Sequence, residues 1–526
     1  MSSKEVPDPS GPATDPPPAA GGGGWLERFH RALHQRVDIS SLVFFRIAFG
    51  AIMVWEVTRY YGYGWVERYF IEPSYNFPYP LFDWVKPWPG DGMYYHFIFL
   101  GAMAFCVMIG LMYRLSAALL CLAFTYVFLL EEARYLNHFY LVCLLTFLLA
   151  IVPANRSLSV DARFEPALRS RTAPAWALWL LRFQVGVPYF FGGIAKLNSD
   201  WLHGSPMRYW LASRDDFPII GQTFHHPFTA YFFSYSGLLI DLLAVPLLLW
   251  RRTRVVMFVV LVAFHFTNTR LFNIGIFPWT MMAVTTIFFP PDWPRRLVGD
   301  LRQLSGRSIA AFLGAALGAV MAAAFRGDWT FVPSSVGALA GMVIAWSLFP
   351  AMHDERDPGG PAPEGVTRAR GSRLITLCVV LWMGSQTLIP LRHYLIPGVV
   401  HWTEEGHRFS WHMKLRGKDG QLMYIIRNPA GGAVRTVDPS ARLEDWQVRK
   451  MATRPYMIRQ YAQDLAREAE ADGWPGAEVF VRSRVRLNGR PSQVMIDPEV
   501  DLARADMRYM AHNDWITQLA NPLPED

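Results

Sequence analysis

The sequence predicts an α-helical polytopic membrane domain of about eleven spans, followed by a C-terminal, β-rich extracytoplasmic domain. Three observations carry that prediction. The 526 residues are 52% hydrophobic and 15% aromatic but only 18% charged, where an ordinary soluble domain has about 25% charged residues. Apolar stretches long enough to cross roughly 30 Å of hydrocarbon recur as far as residue 390. Beyond residue 391 the pattern changes to alternation with period two. The mean hydropathy of +0.15 is too low for a chain lying wholly in lipid, so both parts are needed.

Residues 1–24 are rich in Pro, Gly and Ala and read as a disordered tail. They have no basic region followed by an apolar one, so they are not a cleavable signal peptide. Spans are expected near 41–63, 94–112, 115–133, 136–153, 174–195, 231–250, 254–271, 273–289, 307–325, 333–350 and 374–390. Residues 25–300 form the main membrane domain and 301–352 an extra transmembrane hairpin. A cytoplasmic linker, 353–373, leads to the last span, 374–390. Residues 391–526 form the β-rich domain.

Arginine sets the orientation, because basic residues collect on the cytoplasmic side. With the N-terminus inside, the inner segments hold most of them, including Arg28, Arg31, Arg36, Arg251, Arg252 and Arg254. The net charge of +7 is therefore a topology signal and not a nucleic-acid footprint. The C-terminal domain falls outside, which in a bacterium is the periplasm.

In that domain HRFSWHMKLR and VFVRSRVRL alternate as half-buried strands do, while NPAGG and LNGR read as turns. Tyr456 to Ala471 reads as an amphipathic helix that starts after Pro455. Arg482, Arg484 and Arg486 share a strand face, which reads as solvated. The four cysteines (Cys106, Cys121, Cys143 and Cys378) sit in apolar runs without paired spacing. They read as small buried hydrophobes, with neither a disulfide framework nor a structural zinc site.

Polar groups inside spans are costly and call for a function or a partner. The sharpest case is Tyr189-Phe190-Phe191-Gly-Gly-Ile-Ala-Lys196 at the outer end of the fifth span. The bland reading is a lysine snorkelling to the headgroups. The functional one is a lysine in an apolar aromatic pocket, where desolvation disfavours the ammonium and leaves an amine able to act as a base. Asn137-His138 opens the fourth span, and His265 and Asn268 end the seventh. All of these fall near outer ends, so one polar cluster roofed by the β-rich domain accommodates them. Such a pocket suits a lipid-soluble ring such as a quinone. His393, His401, His407 and His412 are close in sequence, but nothing in their spacing requires a metal, and none is expected.

At these residues the sequence resembles the vitamin K-dependent gamma-glutamyl carboxylase family. The resemblance runs from about residue 37 to the end, through PYFFGGIAKLNSDWL, LNHFYL, PANRSLSVD, HFTNTRLFNIGIFPW, FPPDWPRRL, WTEEGHRFSWHMKLR and IDPEVDL. It implies a membrane enzyme that uses reduced vitamin K with O2 and CO2 to carboxylate peptidyl glutamate, forming the epoxide. It implies Lys196 as the base and His138 as its catalytic companion; the cluster reading adds Asn137 to them and puts Tyr189, Phe190, Phe191, His265 and Asn268 around the cofactor. His407 and Trp411 fall on the glutamate-binding stretch, His407 where an aromatic is expected. The partners implied are membrane lipid and a glutamate-containing peptide. The basic segment that serves propeptide recognition in animal members is replaced here by the spans 307–325 and 333–350. That departure motivates an alternative, a vitamin K or menaquinol epoxidase without protein carboxylation. A non-catalytic quinone- or lipid-binding membrane protein is the alternative from another class.

Overall fold

The structure, a computed structural model, describes residues 24–303 and 370–523, apart from 215, 218, 219 and 273. The expected extra hairpin, most of the linker and nearly all of the N-terminal tail lie outside the described residues. The membrane body is built from α1 (Trp25–His34), α2 (Ser40–Gly62), α3 (Gly92–Ile109), α4 (Tyr113–Leu130), α5 (Asn137–Ile151), α6 (Ala175–Ala195), α7 (Pro227–Leu249), α8 (Arg254–Phe272), α9 (Phe277–Thr285) and α10 (Arg370–Leu391). Helices are the natural answer here, since lipid offers no partner to a free backbone N–H or C=O.

Among the described residues, six helical stretches are long and apolar enough to cross a membrane: α2, α3, α4, α7, α8 and Ser372–Leu395. The expected count of eleven is not confirmed. Two of those spans lie outside the described residues, α5 and Phe277–Phe288 are shorter apolar helices, and α6, expected as the span 174–195, is not among the six. At 1.5 Å per residue, α5 covers about 22 Å, well short of the hydrocarbon thickness.

Helix α6 is central. It packs on α1, α5, α7, α9 and α10, and most of its residues are buried. Its glycines allow the closest approach. A Cβ on Gly193 would lie 2.7 Å from Leu242 Cδ2 and 2.9 Å from Leu242 N of α7, and one on Gly186 would lie 3.0 Å from Val245 Cγ2. Small residues bring helix backbones together in membranes in this way. Gly193→Val is expected to force α6 and α7 apart and to cost about 1–3 kcal/mol. A thermal unfolding midpoint in detergent equal to that of the wild type would refute this.

At the N-terminus, α1 leaves Trp25, Leu26 and Phe29 exposed, as a helix lying in the interface would. Its His30 and His34 bond Thr376 of α10 at 2.8 and 3.2 Å. Strands β1 (Arg36–Asp38) and β2 (Thr172–Pro174) pair antiparallel and tie this end of the chain to the start of α6.

The C-terminal domain holds a four-stranded antiparallel sheet in the order β4-β3-β5-β6. The strands are β3 (Lys418–Arg427), β4 (Val434–Val437), β5 (Glu478–Leu487) and β6 (Gln493–Val494). Strand β5 is the expected alternation. Val479, Val481, Ser483, Val485 and Leu487 are buried, and Arg482, Arg484 and Arg486 are exposed, as a solvated face should be. Helix α11 (Pro455–Ala471) matches the predicted amphipathic helix and buries Met457, Ile458, Tyr461, Ala462, Leu465 and Ala469, the spacing of one helical face. The LNGR turn runs through Asn488 and Gly489 at φ 49° and 78°.

Residues 407–416, expected to be a strand, are an irregular loop. Phe409, Trp411 and Lys414 have φ of 62°, 58° and 50°, incompatible with an extended ladder. Burial explains the exchange. Trp411 is fully buried against the membrane body, and the Phe409 N–H donates to Tyr135 Oη at 2.7 Å. A second correction concerns cysteine: Cys106, Cys121 and Cys143 are partly buried but Cys378 is exposed, and all four are free thiols.

The C-terminal domain is docked by buried polar clamps. Arg490 reaches Asp200 with both guanidinium arms, Nη1–Oδ2 and Nη2–Oδ1 each 2.7 Å, and Asn488 Nδ2 adds a third bond at 2.7 Å. Around the α4–α5 connection, Gln447 donates to Glu131 at 2.9 Å, and Arg408 and Tyr456 bond Glu132. Breaking a buried pair from one side leaves an uncompensated charge and costs about 3–5 kcal/mol. Arg490→Ala is expected to loosen the docked domain, read as faster limited proteolysis. Unchanged cleavage would show that the Glu131 and Glu132 contacts suffice.

Candidate active site

Tyr189, Gly192 and Lys196 recur every three to four residues and so share one face of α6. Lys196, its C-cap, is only 5% exposed. That burial decides against snorkelling. Its Nζ lies 2.5 Å from Asp241 Oδ2 of α7 and donates to the Gly192 carbonyl at 3.2 Å, with the Trp201 ring 5.4 Å away. Asp241 is itself buried.

The 409–413 loop of the C-terminal domain lies over this face. A Cβ on Gly192 would meet Met413 Cε at 3.2 Å, Asp241 Oδ2 at 3.4 Å and the Trp411 carbonyl at 4.0 Å. Glycine here leaves room for the loop beside the ion pair; a Cβ would need the Met413 methyl to give by a few tenths of an ångström. The Trp411 ring lies 5.2 Å from Tyr140 of α5, and Phe409 packs 4.9 Å from Tyr140 and 5.4 Å from Tyr135. Asn137 donates through Nδ2 to the His412 carbonyl at 3.0 Å and accepts through Oδ1 from Tyr135 Oη at 3.0 Å. Lys196, Asn137 and Trp411 thus converge at one end of the bundle, beneath the docked domain.

A second group lies further along α6. Tyr189 Oη bonds His265 Nε2 at 2.8 Å and Thr285 Oγ1 at 3.0 Å. The Phe277 ring stands between His265 and His138, at 6.1 and 5.7 Å. His265 falls inside α8 rather than at its end. Two buried nitrogens, His265 Nδ1 in this group and Trp411 Nε1 in the first, have no hydrogen-bond partner among the described residues. Phe191 is buried with Tyr189, whereas Phe190 points outward and is 45% exposed. Asn268 is half-buried.

His407 lies off the Lys196 face, in a charged corner of the C-terminal domain. Arg416 Nη1 is 2.6 Å from His407 Nε2. Arg416 also grips Glu404, through Nε to Oε1 at 2.7 Å and through Nη2 to Oε2. Lys418 adds a bond to Glu404 at 3.0 Å. Burial alone would raise the Glu404 carboxyl, but Arg416 and Lys418 outweigh it and hold Glu404 below its ordinary range.

Sequence reasoning missed Asp241, although a signal was present: it is the only charged residue in the apolar run of α7, and an intramembrane acid asks for a partner. It also missed the convergence of three histidines, which only the folded loop produces. A surface pocket lined by Met112, Arg114, Asn155, Arg156 and Asp161 opens at the other ends of α4 and α5, away from this chemistry.

Fold and site define a helical membrane protein with a docked C-terminal domain and a buried lysine–carboxylate pair beneath it. A family model described as "HTTM domain" matches residues 34–293. One described as "Vitamin K-dependent gamma-carboxylase, lumenal domain" matches residues 371–522. The chain belongs to the vitamin K-dependent gamma-carboxylase family. No solved structure matches it.

Proposed function

We propose that this protein is a vitamin K-dependent gamma-glutamyl carboxylase and epoxidase, with Lys196 as the base. The observation that carries the proposal is the buried Lys196–Asp241 pair, 2.5 Å apart beneath the loop of a carboxylase-type domain. Reduced vitamin K suits the site, because Tyr140, Tyr189, Phe191, Phe409 and Trp411 are aromatic and mostly buried there. The unpartnered His265 Nδ1 and Trp411 Nε1 are free to meet a ring oxygen. When bound, the hydroquinone supplies, through its oxidation by O2 to the epoxide, a base strong enough for a glutamate γ-proton.

The protein's own residues do the rest. Asp241 takes the proton of Lys196, so that a neutral amine forms without separating charge. Lys196 Nζ then accepts a proton from a cofactor hydroxyl. Asn137 fixes the backbone of the 409–413 loop, and Trp411 and Phe409 keep water from the site, where it would quench a strong base. His138 and Phe277 pack beside Tyr189 and His265 and set the wall of the cofactor pocket. His407 and Trp411 face the glutamate side. The arginine distribution supports a cytoplasmic N-terminus and an extracytoplasmic site.

The test uses full-length protein in detergent with reduced vitamin K, O2, labelled bicarbonate and a glutamate-containing peptide. The expected result is epoxide and fixed label together. Epoxide without label would leave the epoxidase alternative, and neither product from folded protein would overturn both enzyme readings.

A further inference from the structure

His401, His407 and His412 come from a short stretch that doubles back on itself. Glu404, Gly406, Phe409 and Trp411 have φ of 65°, 72°, 62° and 58°. A Cβ on Gly406 would meet His393 Cβ at 2.7 Å. The turns gather the three rings, with centroids 5.0 Å (His407–His412), 5.1 Å (His401–His412) and 6.3 Å (His401–His407) apart. One ring nitrogen of each lies within 4.8 Å of the other two.

The rings are buried, at 4%, 6% and 4% exposure for His401, His407 and His412. Neither nitrogen of His412 has a hydrogen-bond partner among the described residues, nor does His401 Nδ1. Buried polar groups are almost always satisfied, and an exception calls for a missing partner such as an ion. His407 is already set up as a ligand. Arg416 donates to its Nε2 at 2.6 Å, so that nitrogen carries the lone pair. Its Nδ1 lies 3.9 Å from a Glu404 oxygen, too far for a hydrogen bond but on the side from which a carboxylate orients a metal-bound imidazole once the ring shifts.

We propose that His401, His407 and His412 form a binding site for a divalent transition metal of the zinc type, with a fourth position open to an oxygen ligand. Three imidazoles with one open position is the pattern of catalytic rather than structural zinc. Zinc–nitrogen bonds of about 2.0–2.1 Å at tetrahedral angles place the nitrogens roughly 3.3–3.4 Å apart, so the rings close by a small side-chain movement. The metal takes the place of Arg416 Nη1 at His407 Nε2, which requires the guanidinium, also held on Glu404 through Nε and Nη2, to turn away from the ring. The site adjoins the active site, since Asn137 holds the His412 carbonyl and the next residue, Met413, lies over Gly192. A carboxylate oxygen suits the open position. His407 would then meet the glutamate of the proposed reaction through the metal instead of directly, and that refinement alone rests on the carboxylase reading.

The experiment needs no enzymatic activity. Full-length protein in detergent is stripped with chelator, given zinc alone, desalted, and its metal measured. About one zinc per chain is expected in the wild type. His412→Ala and His401→Gln should each lose it, and Lys196→Ala should keep it. Cobalt(II) in place of zinc should give tetrahedral visible bands in the wild type that are absent from both histidine variants. Zinc should raise the wild-type unfolding midpoint and leave that of His401→Gln unmoved. Glu404→Gln is expected to weaken zinc binding about 10–100-fold. Wild type that retains no more zinc than His412→Ala, or histidine variants that retain it fully, would overturn the site. If His412→Ala fails to fold, His401→Gln and the cobalt spectrum decide. Stoichiometric zinc without carboxylated product keeps the site and sinks the carboxylase reading; carboxylated product without zinc does the reverse.

Discussion

Lys196→Ala is expected to abolish epoxide formation and label fixation together, each by at least 10²–10⁴-fold, the usual scale for loss of a positioned general base. The reasoning is geometric. Lys196 is 5% exposed, and its ammonium has the Asp241 carboxylate at 2.5 Å, the Gly192 carbonyl at 3.2 Å and the Trp201 face as neighbours. A lysine kept there for anchoring would gain more from reaching the headgroups. The variant should still fold, because Asp241 left alone can take up a proton and remain neutral. Under the proposed reaction both products fall in step, since there the glutamate proton is removed only by the base that cofactor oxidation generates. Retention of either product by a folded Lys196→Ala protein would remove Lys196 from the mechanism.

Asp241 carries the second large effect. Asp241→Leu leaves a lysine in an apolar place without its counter-charge, and the expected cost is about 3–5 kcal/mol of stability. The double variant Lys196→Met/Asp241→Leu should recover most of that loss, because well-packed apolar residues often replace a buried pair without penalty. Its activity should nevertheless be absent. This divergence, stability regained and product still lost, separates a catalytic pair from a structural one. Thermal unfolding in detergent and the two-product assay measure it. A double variant that is active would remove the catalytic role, and a single variant as stable as the wild type would remove the structural one.

The candidate site was partly legible in the sequence. Lys196, Asn137 and His138 stood out because polar residues in apolar runs are costly, and that cost does not depend on the fold. Asp241 carries the same signal in the same kind of run. The loop at 407–416 was not legible as a loop. Its alternation of apolar and polar residues mimics a strand, but the alternate faces it serves belong to different bodies. Phe409 and Trp411 enter the aromatic cluster of α5, while His407 and His412 turn toward His401. Periodicity reports which residues avoid water and says nothing of which partner takes them from it.

The sequence by itself determined a helical membrane body, a C-terminal domain with a sheet and one amphipathic helix, and the family. Each follows from local hydropathy, from period, or from motifs read in order. Only the tertiary structure decided that Lys196 is buried and paired, that the Gly186 and Gly193 positions bring α6 against α7, and that Gly192 lets the 409–413 loop close over the pair. It alone gathered three histidines spread over twelve residues into one cluster. The physical reason is the same in each case. Burial energies are additive along a chain and so leave a trace in composition, whereas ion pairs and ligand sets depend on distances between segments remote in sequence, and those exist only once the helices have packed.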